Sequence, residues 1–202
     1  MSAVRDALAL VRDYHRAYLA LNVLFYGLMV VGMAYAALDP AAQQIVREQA
    51  RIGSGPLPGV GVVVGLLRDF GIIFALNLVG GSLLYITFPS LIIPFSGILL
   101  GMYRALAWGL FFSPTTGGLA AELVPHLPVL IVEGQAFVLA MLAAYVQGTS
   151  FLRPGSAGAR THRMGYWVGV KRSARIYLLI VILLILAAAY EAIETLVLRG
   201  AA

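Results

Sequence analysis

Four polar side chains stand inside long apolar stretches of this chain: Asn77, Arg104, Glu133 and Glu191. Charged groups in hydrocarbon are costly, so each must face protein or water and find a partner. Two kinds of chemistry suit a guanidinium, two carboxylates and an amide so placed. A buried Arg–carboxylate pair can clamp helices in one register. The same groups can instead form a path or gate for an ion or small solute.

Holding them at one level requires membrane helices, and the composition points to these. Of 202 residues, 61% are hydrophobic and 11% charged, with a mean hydropathy of +0.91. Several apolar runs approach twenty residues, the length that crosses a bilayer core. The expected fold class is all-α, a polytopic membrane helix bundle. It has about five transmembrane helices plus N-terminal and extracytoplasmic interfacial helices, all in one membrane domain over 1–202. The net charge of +5 would also suit a nucleic-acid binder. The basic residues cluster at span ends, however, which fits the positive-inside rule, so no nucleic-acid partner is expected. With no cysteine in the chain, disulfides, thiol catalysis and cysteine metal sites are excluded.

Residues 1–16 form an amphipathic pattern, with Val4, Ala7, Leu8, Val11, Tyr14 and His15 on one face. The expectation is a cytoplasmic helix lying on the membrane surface. Ala34-Tyr35-Ala36 resembles a signal-cleavage site, but the charged stretch before the apolar run is long for a signal peptide, so it reads as a retained anchor. Asp39-Pro40 has the form of an N-cap with Pro at the first helical position. A short interfacial helix should follow, ended by the Gly53–Gly59 run, and Val60–Leu67 is too short to cross. The largely apolar stretch of 43 residues from Phe70 to Phe112 is punctuated by Pro89 and Pro94. Spans are therefore expected over 17–37, 70–88, 91–112, 126–148 and 176–197, with a loop at 113–118 and a basic cytoplasmic loop at 149–175. Nine Lys/Arg (5, 12, 16, 153, 160, 163, 171, 172, 175) fall on the N-terminal side against four (47, 51, 68, 199) on the other. That asymmetry predicts a multi-pass protein of the cell membrane with a cytoplasmic N-terminus.

At about 1.5 Å of rise per residue, Arg104 lies about 12 Å below the outer surface, and Glu133 and Asn77 about 10 Å below it. Glu191 is a few residues shallower. Gly97, Gly101, Arg104 and Trp108 share a helix face, and Gly97 with Gly101 makes a G-x-x-x-G pair for close helix packing. His126, Glu133, Ala136, Ala140, Ala144 and Gln147 share another, small and polar. An Arg104–Glu133 ion pair with Asn77 as hydrogen-bond partner is the expected core of the layer.

His126, between Pro125 and Pro128 at the start of the fourth span, is either an interfacial switch or an ordinary helix-start residue. Arg163, Lys171, Arg172 and Arg175, with Tyr166 and Trp167, suit lipid headgroups. Three scattered histidines give no metal signal, and no cofactor is expected. Neither a G-x-S-x-G elbow nor a phosphate-binding G-x-x-x-x-G-K-[ST] loop occurs, so enzymatic activity is not expected.

Several motifs between Phe70 and Gly148 bear a likeness to known ones: Leu76-Asn77-Leu78 with Gly80-Gly81, Ile93-Pro94-Phe95-Ser96-Gly97-Ile98-Leu99-Leu100-Gly101, Val124-Pro125-His126, and Glu133 leading into an Ala-rich helix. This stretch resembles the membrane core of the stage II sporulation protein M family, although Ser96 stands where that family often has Asn. The resemblance implies an integral membrane protein that is not itself an established enzyme; the family's sporulation members are linked to septal-wall remodelling in complex with cell-wall hydrolases, and many of its short relatives have no assigned role. The expected function is a membrane scaffold or accessory subunit, with membrane lipids and either other membrane proteins or further copies of itself as partners. A transport component using the polar layer is the alternative.

Overall fold

The computed structural model describes residues 2–51, 62–114 and 119–200 and is all-helical, with no strand among them. In chain order the elements are α1 (Ser2–Asp13), α2 (His15–Leu38), α3 (Pro40–Arg51), α4 (Val62–Ala75), a π-helical segment (Leu76–Thr87), α5 (Phe88–Ile92), α6 (Ser96–Phe112), α7 (Leu119–Leu152), a 3-10 turn (Pro154–Ala157) and α8 (His162–Gly200). The Gly53–Gly59 breaker and positions 115–118 of the expected loop lie outside the described residues.

Among the described residues four helices are long and apolar enough to cross a membrane: His15–Leu38, Val64–Ile92, Leu123–Leu152 and His162–Val197. The fifth expected span, 91–112, is represented by α6, an apolar helix of 17 residues. The apolar stretch before Arg68 is not a separate short piece. From Val62 it is already helical and continues through the π segment into α5, where the junction residues Ala75 and Phe88 keep right-handed helical angles. Pro89 does not end the helix at once, which runs three residues further to Ile92, and Ile93 is the first to leave it with an extended backbone. The chain reverses only at 93–95. There Phe95 takes a left-handed conformation (φ 70°) and Ser96 N–H closes the turn on the Ile93 carbonyl at 3.1 Å.

α7 is the axis of the bundle. Of its span window 78% is buried, against 22% for α2 and for the Val64–Ile92 helix. Its middle is built for this, because Ala136, Ala140 and Ala143 let neighbours approach while Phe137, Met141 and Leu142 fill the space between them, all fully buried. α8 runs back along α7 and buries Ser173, Ile176, Ile180, Leu184 and Ala187 at spacings of three and four, the seam of a coiled-coil-like pair.

The 149–175 stretch is not a loop. α7 extends to Leu152, α8 begins at His162, and only the residues between them turn. Charges did not prevent helix formation there, since Arg and Lys are good helix formers whose long stems hold the charge away from the backbone. The N-terminal helix also does more than rest on a surface. Ala7 and Leu10 are buried as α1 packs on α8.

α2 and α6 meet through glycines. A Cβ at Gly32 would lie 3.0 Å from Gly109 Cα, and one at Gly109 would strike the Met29 carbonyl, so the backbones touch. Beyond α2, the Asp39 carboxylate accepts from Ala42 N–H at 3.3 Å and starts α3. α3 then covers the end of α6, with Gln43 donating to the Ser113 carbonyl at 2.7 Å and Arg47 to the Phe111 carbonyl at 3.2 Å. These groups meet carbonyls that the last turn of a helix leaves unpaired.

Candidate functional site

The polar layer is assembled where α6, α7 and the π segment converge. On α6 the buried stripe is Gly97, Gly101, Ala105 and Gly109, one residue every fourth position. Gly97 closes on the preceding helix, its N–H bonded to Ser90 Oγ at 2.7 Å, whereas Gly101 closes on Met141 of α7. Arg104 and Trp108 stand at the flank of this stripe, with Arg104 reaching sideways to its neighbours.

Arg104 Nη2 donates to Asn77 Oδ1 at 3.2 Å and lies 3.9 Å from Glu133 Oε1. Its guanidinium sits 4.0 Å above the Phe137 ring and 5.1 Å from that of Trp108. Gly81 makes room beneath, because a Cβ there would fall 2.8 Å from Phe137 Cε1 and 3.4 Å from the guanidinium carbon. Gly80, its neighbour, faces open space and is no packing notch. The Glu133 side chain is only 6% exposed. One carboxylate offsets the charge of the cation and two aromatic faces cover it, each ring contact worth about 0.5–2 kcal/mol according to how far water is excluded. Arg104 Nε stays buried with no hydrogen-bond partner among the described residues.

The π-helical backbone bears on this site because Asn77 is its second residue. Ser82 Oγ donates to the Asn77 carbonyl at 3.1 Å, five residues back, the same span as the backbone bond from Phe88 N–H to the Leu83 carbonyl. Such wide turns are uncommon and recur at functional sites.

Glu191 does not join the ion pair. It stands on α8, three residues before Glu194. His126 is not at a helix start either. α7 begins at Leu119 and carries both Pro125 and Pro128 inside it. His126 Nδ1 lies 3.0 Å from Glu194 Oε2, its ring is stacked 4.9 Å from that of Phe112, and Tyr190 Oη donates to the neighbouring Pro125 carbonyl at 2.9 Å.

A second network was missed in the sequence. Gln135, two residues past Glu133 and on another face of α7, accepts from Tyr18 Oη at 2.5 Å and donates to Asn22 Oδ1 at 2.6 Å and Tyr26 Oη at 3.1 Å. Tyr26 Oη also donates to the Ile131 carbonyl at 2.9 Å. The available signal was the spacing of four in Tyr18, Asn22 and Tyr26, a polar stripe on an otherwise apolar span. Glu194 had a comparable signal, three residues after Glu191 on one face.

The basic residues lie at the far end of the bundle. Arg163, Lys171 and Arg175 are exposed on α8, while Arg172 is half-buried and donates to Tyr14 Oη at 3.3 Å. Among the described residues no group of three His, Cys, Asp or Glu is arranged to hold a metal ion. No family model, curated protein or solved structure matches the chain.

Proposed function

We propose that the protein is a non-enzymatic integral membrane scaffold or accessory subunit whose Arg104–Glu133–Asn77 layer is a clamp fixing helix register. The observation that carries this reading is the dry zone below the layer. Phe137, Met141 and Leu142 of α7 and Ile176 and Ile180 of α8 are each 0% exposed, so apolar side chains fill the seam across the middle of the bundle. A solute path would need polar lining there. The motif resemblance to stage II sporulation protein M, a family of membrane proteins that work in complexes, supports the same reading.

In this proposal the chain crosses five times with the N-terminus cytoplasmic, α6 being the third crossing. α6 is about 25 Å long at 1.5 Å per residue, close to the hydrocarbon thickness. Its last turn meets the end of α2, with Ser113 Oγ donating to the Met33 carbonyl at 3.0 Å. Arg163, Lys171, Arg172 and Arg175 would then meet anionic headgroups on the cytoplasmic side. The sparsely buried α2 and Val64–Ile92 helices would face lipid, a second copy or another membrane protein.

A transport component is the second reading, favoured by one observation. Glu133, Glu191, His126 and Glu194 form a succession of ionisable groups between the layer and one end of the bundle. Purification under mild detergent followed by reconstitution separates the two. The scaffold reading expects a stable co-purifying membrane partner or homo-oligomer and no solute or proton flux in liposomes containing this chain alone. Flux that disappears in Glu133→Gln would overturn it.

A further inference from the structure

Gln147 and Ser150 lie one turn apart near the end of α7, on the face turned to α8, and are 1% and 0% exposed. Among the described residues no group hydrogen-bonds either polar atom of the Gln147 amide or Ser150 Oγ. Their neighbour across the seam behaves differently, since Ser173 Oγ donates to the Ala143 carbonyl at 2.8 Å. Against the backbone of these two residues α8 presents glycine. A Cβ at Gly169 would lie 3.0 Å from both Gln147 Cα and Ser150 Cβ, and one at Gly165 would strike the Ser150 carbonyl. No side chain on that stripe can supply the missing partner. On the adjoining side, the Phe95 ring covers Gly148.

A primary amide brings two donors and an acceptor, and a hydroxyl brings one donor and two lone pairs. Buried groups of this kind are satisfied in the great majority of native structures, by protein or by ordered water. An uncharged set with both donors and acceptors matches water, which has both, better than it matches a cation or an anion. We propose that Gln147 and Ser150 form an internal hydration site that holds bound water in the α7–α8 seam. The site is separate from the Arg104–Glu133 layer, which is fourteen residues, or about 21 Å, away along α7, and the apolar zone around Ile176 and Ile180 lies between them. It goes beyond the scaffold reading and does not depend on it.

The test uses the full-length chain labelled with 15N-glutamine in lipid nanodiscs. The Gln147 side-chain amide signal is identified by its loss in Gln147→Met, or in Gln147→Asn if the Met variant does not fold. Magnetisation transfer from water to that amide is the expected result, with a Gln147→Met melting temperature below that of the unsubstituted protein because the water loses its main partner. An amide that exchanges magnetisation with protein protons alone, or a Gln147→Met chain that melts higher, would overturn the proposal, since both describe a dry site.

Discussion

The two halves of α7 treat polar groups in opposite ways. In the half nearer its start, His126, Glu133 and Gln135 all have side-chain partners on other helices. In the half nearer its end, Gln147 and Ser150 have none among the described residues. For Glu133 the pairing follows from charge and its cost, whereas Gln135 is an uncharged amide that meets the polar stripe of α2. An ionised carboxylate cannot stay buried without a counter-charge, so α6 and α8 must each bring one polar residue to a set place. An uncharged amide or hydroxyl is cheaper to bury and can be satisfied by a single small molecule. Ion pairing therefore belongs to the charged half, and glycine-mediated close packing of α7 on α8 to the uncharged one.

Substitutions at the clamp should have the largest effect. Arg104→Leu leaves Glu133 buried without its cation and should cost about 3–5 kcal/mol, the scale for a buried pair broken on one side. Thermal unfolding in detergent, followed by tryptophan fluorescence, measures it. The double change Arg104→Met with Glu133→Leu should recover most of that loss. If the single and double variants melt together, the pair is not a clamp and the contrast between the two halves fails.

Gly109→Leu comes next. Its side chain would be driven into the α2 backbone at Met29 and Gly32. Overpacking of this kind costs about 1–3 kcal/mol, and cross-linking yield between cysteines placed on α2 and α6 should fall with it. An unchanged yield would mean that these glycines do not set the helix separation.

A smaller effect is expected for Gln135→Leu, which strips Tyr18, Asn22 and Tyr26 of their common partner. Interhelical hydrogen bonds within membranes average about 0.6 kcal/mol, so a loss of about 1–2 kcal/mol is expected from the same melting experiment. The smallest effect distinguishes adjacent glycines. Gly80→Ala should be within about 0.5 kcal/mol of neutral, because nothing lies within 4 Å of its added carbon, while Gly81→Ala must displace the Phe137 ring on which the Arg104 guanidinium rests. Equal melting temperatures for the two would remove Gly81 from the site.

Much of the layer was legible from residue type and position. Asn77, Arg104 and Glu133 interrupt apolar runs, and counting turns places them at one depth. Their approach to within 3.9 Å is consistent with that count. Glu191 was harder, because depth alone cannot say which of several carboxylates faces the cation. The continuous Val62–Ile92 helix and the helical start of α8 were misread for a related reason. Pro89 and the Arg-rich run are local signals of a break, and the helical preference of the residues around them overrides those signals.

The sequence by itself determined that this chain is all-helical and apolar enough for a membrane, and which polar residues must find partners. Those conclusions need only composition, length and the cost of burying charge. Tertiary structure decided which partners they find: Glu194 for His126, the Phe137 face for Arg104, and the tyrosines of α2 for Gln135. It did so because these pairings depend on how each helix is rotated about its axis. That rotation is set by where glycines and alanines let backbones touch, and by a π-helical segment whose wider turns shift every later side chain away from ordinary helical phase.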